Sequence, residues 1–414
     1  MFIFIASCAP VNNFSKRILS DDYPEDIIKK TTNNIEKKEL SKNLDTNIFL
    51  NKDILSDIEI ILPKFNNNNI TQSLINSFEL SIYSKKINNI NLKINRYFDL
   101  GDLDKFLLET AFPGKVFVGT LDPSASKVVK NYCNKGIVFF SFASDINLAG
   151  DCVYLINFFP HDDLNALFNF FPKDSKIALL FPENYYGYSI NKSIDPIASK
   201  SKSLIINRSS YAEDLSNARN SIKELSKYNL RKNELERQKK ILKNKNDEIS
   251  KNALKRIQKF ETLGNVDFTH LILPDYGIRL LEIAPLLPFY DVDPNKVQFV
   301  GTGVWDDEVF FEEPSLQGAI FPGIEEKNRR QFFNDYYYIY KKKPPRTSTI
   351  PYDVVGLLSY IINKNMKLKD AYKFLDNSKN KFDGIDGKFF FLNNIIFREL
   401  DILQINNGLA IKLK

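Results

Sequence analysis

Apolar runs of strand length recur along the chain, separated by stretches with helical spacing. Residues 58–62 form the first run, followed by Pro63, an Asn-rich loop and a helix predicted near 71–83. Further strands are predicted at 90–94, 115–119, 137–142 and 153–158, with helices near 103–111 and 124–133. The runs are continuously apolar rather than alternating, as expected of strands buried on both faces of a parallel sheet. The rhythm then begins again, with helix 161–171, strand 176–181, helix 185–199 and strand 204–207. From 268 to 358 it reads strand, Asp-Tyr-Gly turn, helix, strand, Gly-Thr-Gly-Val-Trp loop, strand, helix, and a last helix opening at Pro351. The pattern predicts an α/β protein of two doubly wound parallel-sheet lobes.

Two segments break the rhythm. Residues 227–262 read as helical and charged. Tyr228, Leu235, Leu242 and Ile249 recur every seven residues, but the positions that would complete a coiled-coil seam are polar. That predicts a helix or hairpin packed on one side, inserted in the second lobe. From 382 the chain changes character. Asp383 to Gly387 carries turn chemistry, and 388–392, 396–400 and 403–405 are short strands around Asn393-Asn394, an antiparallel addition.

A chain of 414 residues exceeds what one core usually supports, about 250–300 residues, so two lobes fit its length as well as its pattern. The net charge of +6 is concentrated in one place. Residues 227–262 hold 12 Lys/Arg against 5 Asp/Glu; their excess of +7 leaves the remainder at about −1. The protein therefore has no general nucleic-acid-binding surface. It also has no 18-residue apolar run to form a membrane-spanning helix.

At the N-terminus, Ile5-Ala6-Ser7-Cys8 is similar to a bacterial lipobox, in which small residues admit the peptidase and Cys8 accepts the lipid. Only seven residues precede Cys8 and none is basic, whereas an export signal has a charged start and a longer apolar core. Residues 1–8 are thus expected to be a remnant lipoprotein signal, the alternative being a hydrophobic end with an unmodified thiol. Residues 9–54 are polar and aperiodic, the composition of a solvated tether. Cys133 and Cys152 precede adjacent strands. If those strands are parallel neighbours the thiols share one end of the sheet, so a disulfide and a pair of free thiols are both open.

Several motifs, in order along the chain, resemble the type I periplasmic binding proteins, the fold of the leucine/isoleucine/valine-binding proteins. They are Ile60-Ile61-Leu62-Pro63, Val118-Gly119-Thr120-Leu121 with Ser124, Phe140 to Asp145, and Leu180-Phe181-Pro182 with Tyr186-Gly187. Tyr290 to Pro294, Val300 to Asp307, Pro344-Pro345-Arg346, Tyr352 to Leu357 and Phe382 to Gly387 resemble the penicillin-binding protein activator lipoproteins within that superfamily. The resemblance implies discontinuous lobes, 55–159 with 303–363 and 160–302 with 364–414, joined by a three-strand hinge. Ligands of such folds sit between the lobes at strand carboxyl ends.

The resemblance also implies roles for particular residues. Ser124, opening a helix after a strand, would offer N–H and hydroxyl to a ligand carboxylate; a plain N-cap is the competing reading. Ser141, Ala143 and Ser144 would offer hydroxyls and carbonyls, or simply form a tight turn. Asp145 departs from the hydroxyl residue usual in the relatives and would repel an amino acid's carboxylate. Tyr186 would cover the ligand from the second lobe, and Asp275 would pair with an α-ammonium unless it is a solvent-facing N-cap. Trp305 lies at the expected lobe crossover, lining the cleft or plugging the hinge. His161 reads as a hinge residue and His270 as a core residue. With no Ser/His/Asp spacing, phosphate loop or metal-ligand cluster, neither enzymatic activity nor a cofactor is expected.

Two functions follow from the resemblance. One is a periplasmic lipoprotein, anchored to the outer membrane through its lipid, that regulates a peptidoglycan synthase by protein contact. In it the basic insertion is a docking element or a contact for anionic wall polymers. The other is an ABC-transporter receptor for a branched-chain or similar amino acid or amide, handing its ligand to a permease.

Overall fold

The computed structural model describes residues 55, 57–64, 69–88 and 90–413. Cys8, expected as a lipobox cysteine, and residues 9–54, expected as a tether, lie outside the described residues.

The first half builds β1 (Asp57–Pro63), α1 (Asn69–Ser84), β2 (Asn91–Tyr97), α2 (Leu100–Thr110), β3 (Val116–Gly119), α3 (Pro123–Lys130), β4 (Val138–Ser141) and β5 (Val153–Leu155). Strands β3, β4 and β5 are buried throughout, because helices cover both faces of their sheet. The second half begins with α4 (Pro160–Phe170), β6 (Lys176–Pro182), α5 (Tyr185–Ser201) and β7 (Leu204–Tyr211). It continues through α6 (Ala218–Leu225), α7 (Tyr228–Lys243), α8 (Glu248–Ile257), β8 (His270–Ile272), α9 (Gly277–Ile283), β9 (Gln298–Val300), α10 (Glu308–Phe311) and β10 (Ile320–Gly323). The chain closes with α11 (Glu326–Tyr340), α12 (Thr349–Asn363), α13 (Leu368–Leu375), β11 (Phe382–Gly384), β12 (Gly387–Leu392), β13 (Ile395–Glu399), β14 (Asp401–Asn406) and β15 (Leu409–Lys412).

These strands form two sheets. The first has the order β11-β12-β13-β5-β4-β3-β1-β2 and the second β15-β14-β10-β9-β8-β6-β7. Strands β1 to β5 and β6 to β10 are parallel within their sheets, and the C-terminal strands add antiparallel edges. Each lobe has its own apolar core, in the first lobe around Phe117, Phe139 and Phe140 and in the second around Leu180, Phe299 and Phe321. This is the expected two-lobe architecture, with α7 and α8 as the helical insertion.

Two of the expected lobe boundaries are corrected. The resemblance implies a return to the first lobe at 303, but β10 pairs parallel with β9 at Ile320↔Val300, so that stretch stays in the second sheet. The crossing comes at 323–326, after which Tyr340 Oη donates to the Asn76 carbonyl at 2.9 Å and Ser81 Oγ to the Tyr352 carbonyl at 2.8 Å. The tail 364–414, assigned whole to the second lobe, is divided. β11 to β13 extend the first sheet, with β13 parallel to β5, and only β14 and β15 join the second. The physical reason is the Leu400 step. β13 ends at Glu399, and β14 starts at Asp401 paired with Gly323 at the carboxyl end of β10.

The three crossings therefore share one location. β5 leaves the first sheet at its carboxyl end, β10 leaves the second at its carboxyl end, and β13, parallel to β5, meets β14 there. The carboxyl edges of both sheets converge on the hinge.

Cys133 and Cys152, left open by the sequence, are joined by a disulfide with an S–S distance of 2.01 Å. A bridge spanning 19 residues stabilises the first lobe by about 3 kcal/mol in the chain-entropy account.

Candidate functional site

The candidate residues sit at strand ends or in the turns and helix starts that follow them, but their side chains differ in availability. In the first lobe, Gly119 ends β3 with φ +140°, and a Cβ there would fall 2.1 Å from the Ile61 carbonyl oxygen, so only glycine fits. The next helix is capped by Asp122, whose carboxylate accepts from Ala125 N at 2.8 Å. Ser124 is thus not the cap; it is an exposed first-turn residue beside a carboxylate. Ser141 and Ala143 are fully buried and face inward. Ser141 Oγ lies 2.8 Å from Ser126 Oγ, which also meets Thr120 Oγ1, and it accepts from Ala143 N at 3.1 Å. Ser144 is exposed. Asp145 is half-buried and accepts from Asn147 N at 3.0 Å, capping a short turn.

In the second lobe the polar groups are consumed internally. Asp275 is 0% exposed. It accepts from Tyr211 Oη at 2.6 Å and Tyr276 N at 2.8 Å, and forms an ion pair with Arg279 one turn along at 2.9 Å. The pairing pushes the Arg279 guanidinium up, chiefly through its hydrogen bonds to Asp275. The solvent-facing cap is thereby corrected, and the carboxylate that would meet an α-ammonium already holds a cation. Tyr186 Oη donates to Thr302 Oγ1 at 2.8 Å, with its ring edge-on to Tyr276. Burial, and then Asp163, push its hydroxyl up. Trp305 does not line the cleft. It is fully buried in the second-lobe core, its Nε1 donates to the Asp275 carbonyl at 3.1 Å, and its ring lies where a Cβ on Gly301 would be.

The hinge carries a charge network that the sequence reading missed. Asp162, buried at the start of α4, accepts from Arg398 N at 2.9 Å and pairs with the Arg398 guanidinium at 3.4 Å, tying the second lobe to β13 of the first. Arg398 also donates to the Asn157 carbonyl at 2.7 Å. His161 Nε2 donates to the Ile396 carbonyl (3.0 Å), and the ring stacks on Phe397. Arg329 pairs with Asp306 of the second lobe and sits 3.8 Å from Asp386 of the first. Arg346 pairs with Asp386 at 2.6 Å, and both Arg346 and Arg398 lie over the Phe158 ring. Burial would raise the Asp386 carboxyl, but Arg346 and Arg329 outweigh it and hold the group below the usual range. Asp163 accepts from Gly303 N at 3.0 Å; burial pushes its carboxyl up to about 7.

Outside the cleft, a recess of about 510 Å³ opens on the first lobe between α12, α13 and the β11–β12 hairpin, lined among others by Lys85, Asp353, Tyr360 and Phe374. Among the described residues no His/Cys/Asp/Glu group is arranged to hold a metal, and no helix is long and apolar enough to cross a membrane.

The hinge partners are far apart in sequence, so no local pattern announces them. Asp275 and Arg279 are different: an acid and an arginine four residues apart at a helix start form a readable signal.

No protein-family model matches the chain, and no curated protein does. Solved structures do. A putative branched-chain amino acid ABC transporter protein from Rhodospirillum rubrum superposes with a TM-score of 0.65 at 11% identity, over 87% of this chain and all of the other. The C-domain of LpoA from Haemophilus influenzae, described as a regulator of PBP1A, gives 0.58 at 11% identity over 87% of this chain and all of the domain. Full-length LpoA gives 0.59 at 13% identity, and this chain spans 59% of its length. Two parallel-sheet lobes, three crossings at the carboxyl edges and these likenesses together give the chain the type I periplasmic binding protein fold.

Proposed function

We propose that this chain is a recognition protein that regulates a peptidoglycan synthase by contact, rather than a receptor that closes on an amino acid. The observation that carries the reading is the occupied Asp275. A receptor for an α-amino acid needs a carboxylate free to pair with the ligand's ammonium, and here Arg279 and Tyr211 fill that place. Displacing Arg279 would leave a guanidinium without its partner, a penalty of several kcal/mol that binding would have to overcome. The buried ion pairs across the hinge support the same reading, since lobe closure would have to break or carry them along.

Regulation by contact works through differential binding: the partner's active conformation is favoured by whatever extra contact it makes with this surface. In this reading Cys8 carries the lipid, residues 9–54 form the tether, and the body acts in the periplasm. The likeness to LpoA supports the assignment by fold alone.

The test is glycan polymerisation by the bifunctional synthase of the same cell, measured with and without equimolar protein. The reading predicts a several-fold increase in rate. An unchanged rate at saturating excess, together with capture of the protein by an ABC permease, would favour the transport receptor.

A further inference from the structure

The helical hairpin α7–α8 carries a charge that the rest of the fold does not explain. Of the 12 basic residues in 227–262, four have acidic partners: Lys227 with Asp267, Arg231 with Asp291, Arg237 with Glu234, and Lys239 with Glu236. The other eight are exposed with no carboxylate at ion-pair distance among the described residues. They are Lys232, Lys240, Lys243, Lys245, Lys251, Lys255, Arg256 and Lys259. Lys251 and Lys255 stand one turn apart on one face of α8, where like charges repel, and Lys259 follows just beyond the helix. The two acidic residues at the tip do not neutralise the set: Asp247 is engaged as the cap of α8, accepting from Ser250 N at 2.8 Å, and Glu248 stands alone beside it. What is local is the excess: the rest of the chain holds 45 Lys/Arg against 46 Asp/Glu, a net charge near −1.

Three observations select the partner. Seven of the eight unpaired cations are lysines, which act as compact point charges rather than as bidentate forks. Protein-contact hot spots favour Trp, Tyr and Arg over Lys, so an acidic protein surface fits poorly. The hairpin also exposes apolar side chains among its lysines: Ile249, 83% exposed in the first turn of α8, with Leu230, Ile241 and Phe260. A linear polyanion offers charge but nothing for those groups to enter. A phospholipid surface offers both. We infer that the α7–α8 hairpin docks onto an anionic lipid surface, its lysines over the phosphates and Ile249 entering the interface. This contact does not depend on the regulatory reading, and it would set the orientation of the body beside the membrane.

The experiment uses the full chain carrying Cys8→Ser, so that no acyl chain contributes, and sediments it with vesicles of equal phosphatidylglycerol and phosphatidylcholine or of phosphatidylcholine alone. The expected result is binding to the mixed vesicles only, weakened by salt. Each basic contact changes membrane partitioning about fivefold, so the triple variant Lys251→Glu, Lys255→Glu, Lys259→Glu lowers it on the order of 100-fold. All three side chains are exposed, and an unchanged circular dichroism spectrum checks the fold. Ile249→Asn separates lipid from polymer: it weakens vesicle binding severalfold while leaving retention on immobilised polyglutamate almost unaltered. Absence of vesicle binding, equal binding to neutral vesicles, or capture by polyglutamate without capture by vesicles would each overturn the inference.

Discussion

The two lobes differ in how many of their candidate side chains stay free, for Ser141 and Ala143 of the first are buried like Asp275 and Trp305 of the second, but two others are not. In the first, Ser124 in the first turn of α3 and Ser144 after β4 are exposed, and nothing in the described structure uses their hydroxyls. In the second, Tyr186, Asp275 and Trp305 are each bonded within the lobe, to Thr302, to Arg279 and Tyr211, and to the Asp275 carbonyl. The difference teaches that residues at comparable strand ends of one fold can be left to solvent in one lobe and bonded internally in the other. One half of the cleft presents Ser124 and Ser144 to solvent, while the candidate residues of the other are engaged in contacts within their lobe. Stability and binding should therefore respond to the two lobes very differently.

The strongest contrast comes from Arg279→Met. It leaves Asp275 buried beside Tyr211 with no cation, and removing one partner of a buried pair costs about 3–5 kcal/mol. Urea denaturation reads this directly, and a loss under 1 kcal/mol would show that the pair is not structural. The first lobe depends on a covalent tie instead. Cys133→Ala with Cys152→Ala should lower stability by about 3 kcal/mol, matched by the wild type in reductant.

A pH titration sharpens the comparison at the hinge. Asp163 has its carboxyl pushed up to about 7 by burial, so the folded state holds a proton that the unfolded chain has released above about 4. Asp353, in the first lobe, is raised to about 7 by burial as well. A raised acid adds stability that is fully present below the unfolded value and is lost as the pH climbs through the folded one. The unfolding midpoint should fall between pH 4 and pH 7, with the slope reduced in Asp163→Asn; a midpoint that rises over that window would contradict the assignment. The smallest effect is expected from Ser124→Ala, an exposed side chain, within about 0.5 kcal/mol of wild type.

Much of the fold was legible because buried parallel strands write themselves as continuous apolar runs, as at Val116–Gly119 and Val138–Ser141. The crossing after β10 was less so. Ile320–Gly323 is as apolar as any first-lobe strand, and only its pairing with Val300 shows which sheet holds it. The site divided in the same way. Residue types at strand ends identified where to look, and Asp122 before Pro123 could have been read as the cap that displaces Ser124. The ion pairs of Asp162 with Arg398 and Arg329 with Asp306 could not, since each joins segments brought together only by the folded hinge.

Isothermal titration calorimetry of the purified full chain against a panel of free amino acids and their amides tests the central claim most directly. With Asp275 held by Arg279, no heat of binding is expected for any of them. A micromolar titration that disappears in Asp275→Ala would contradict it and show that the second lobe still receives an ammonium.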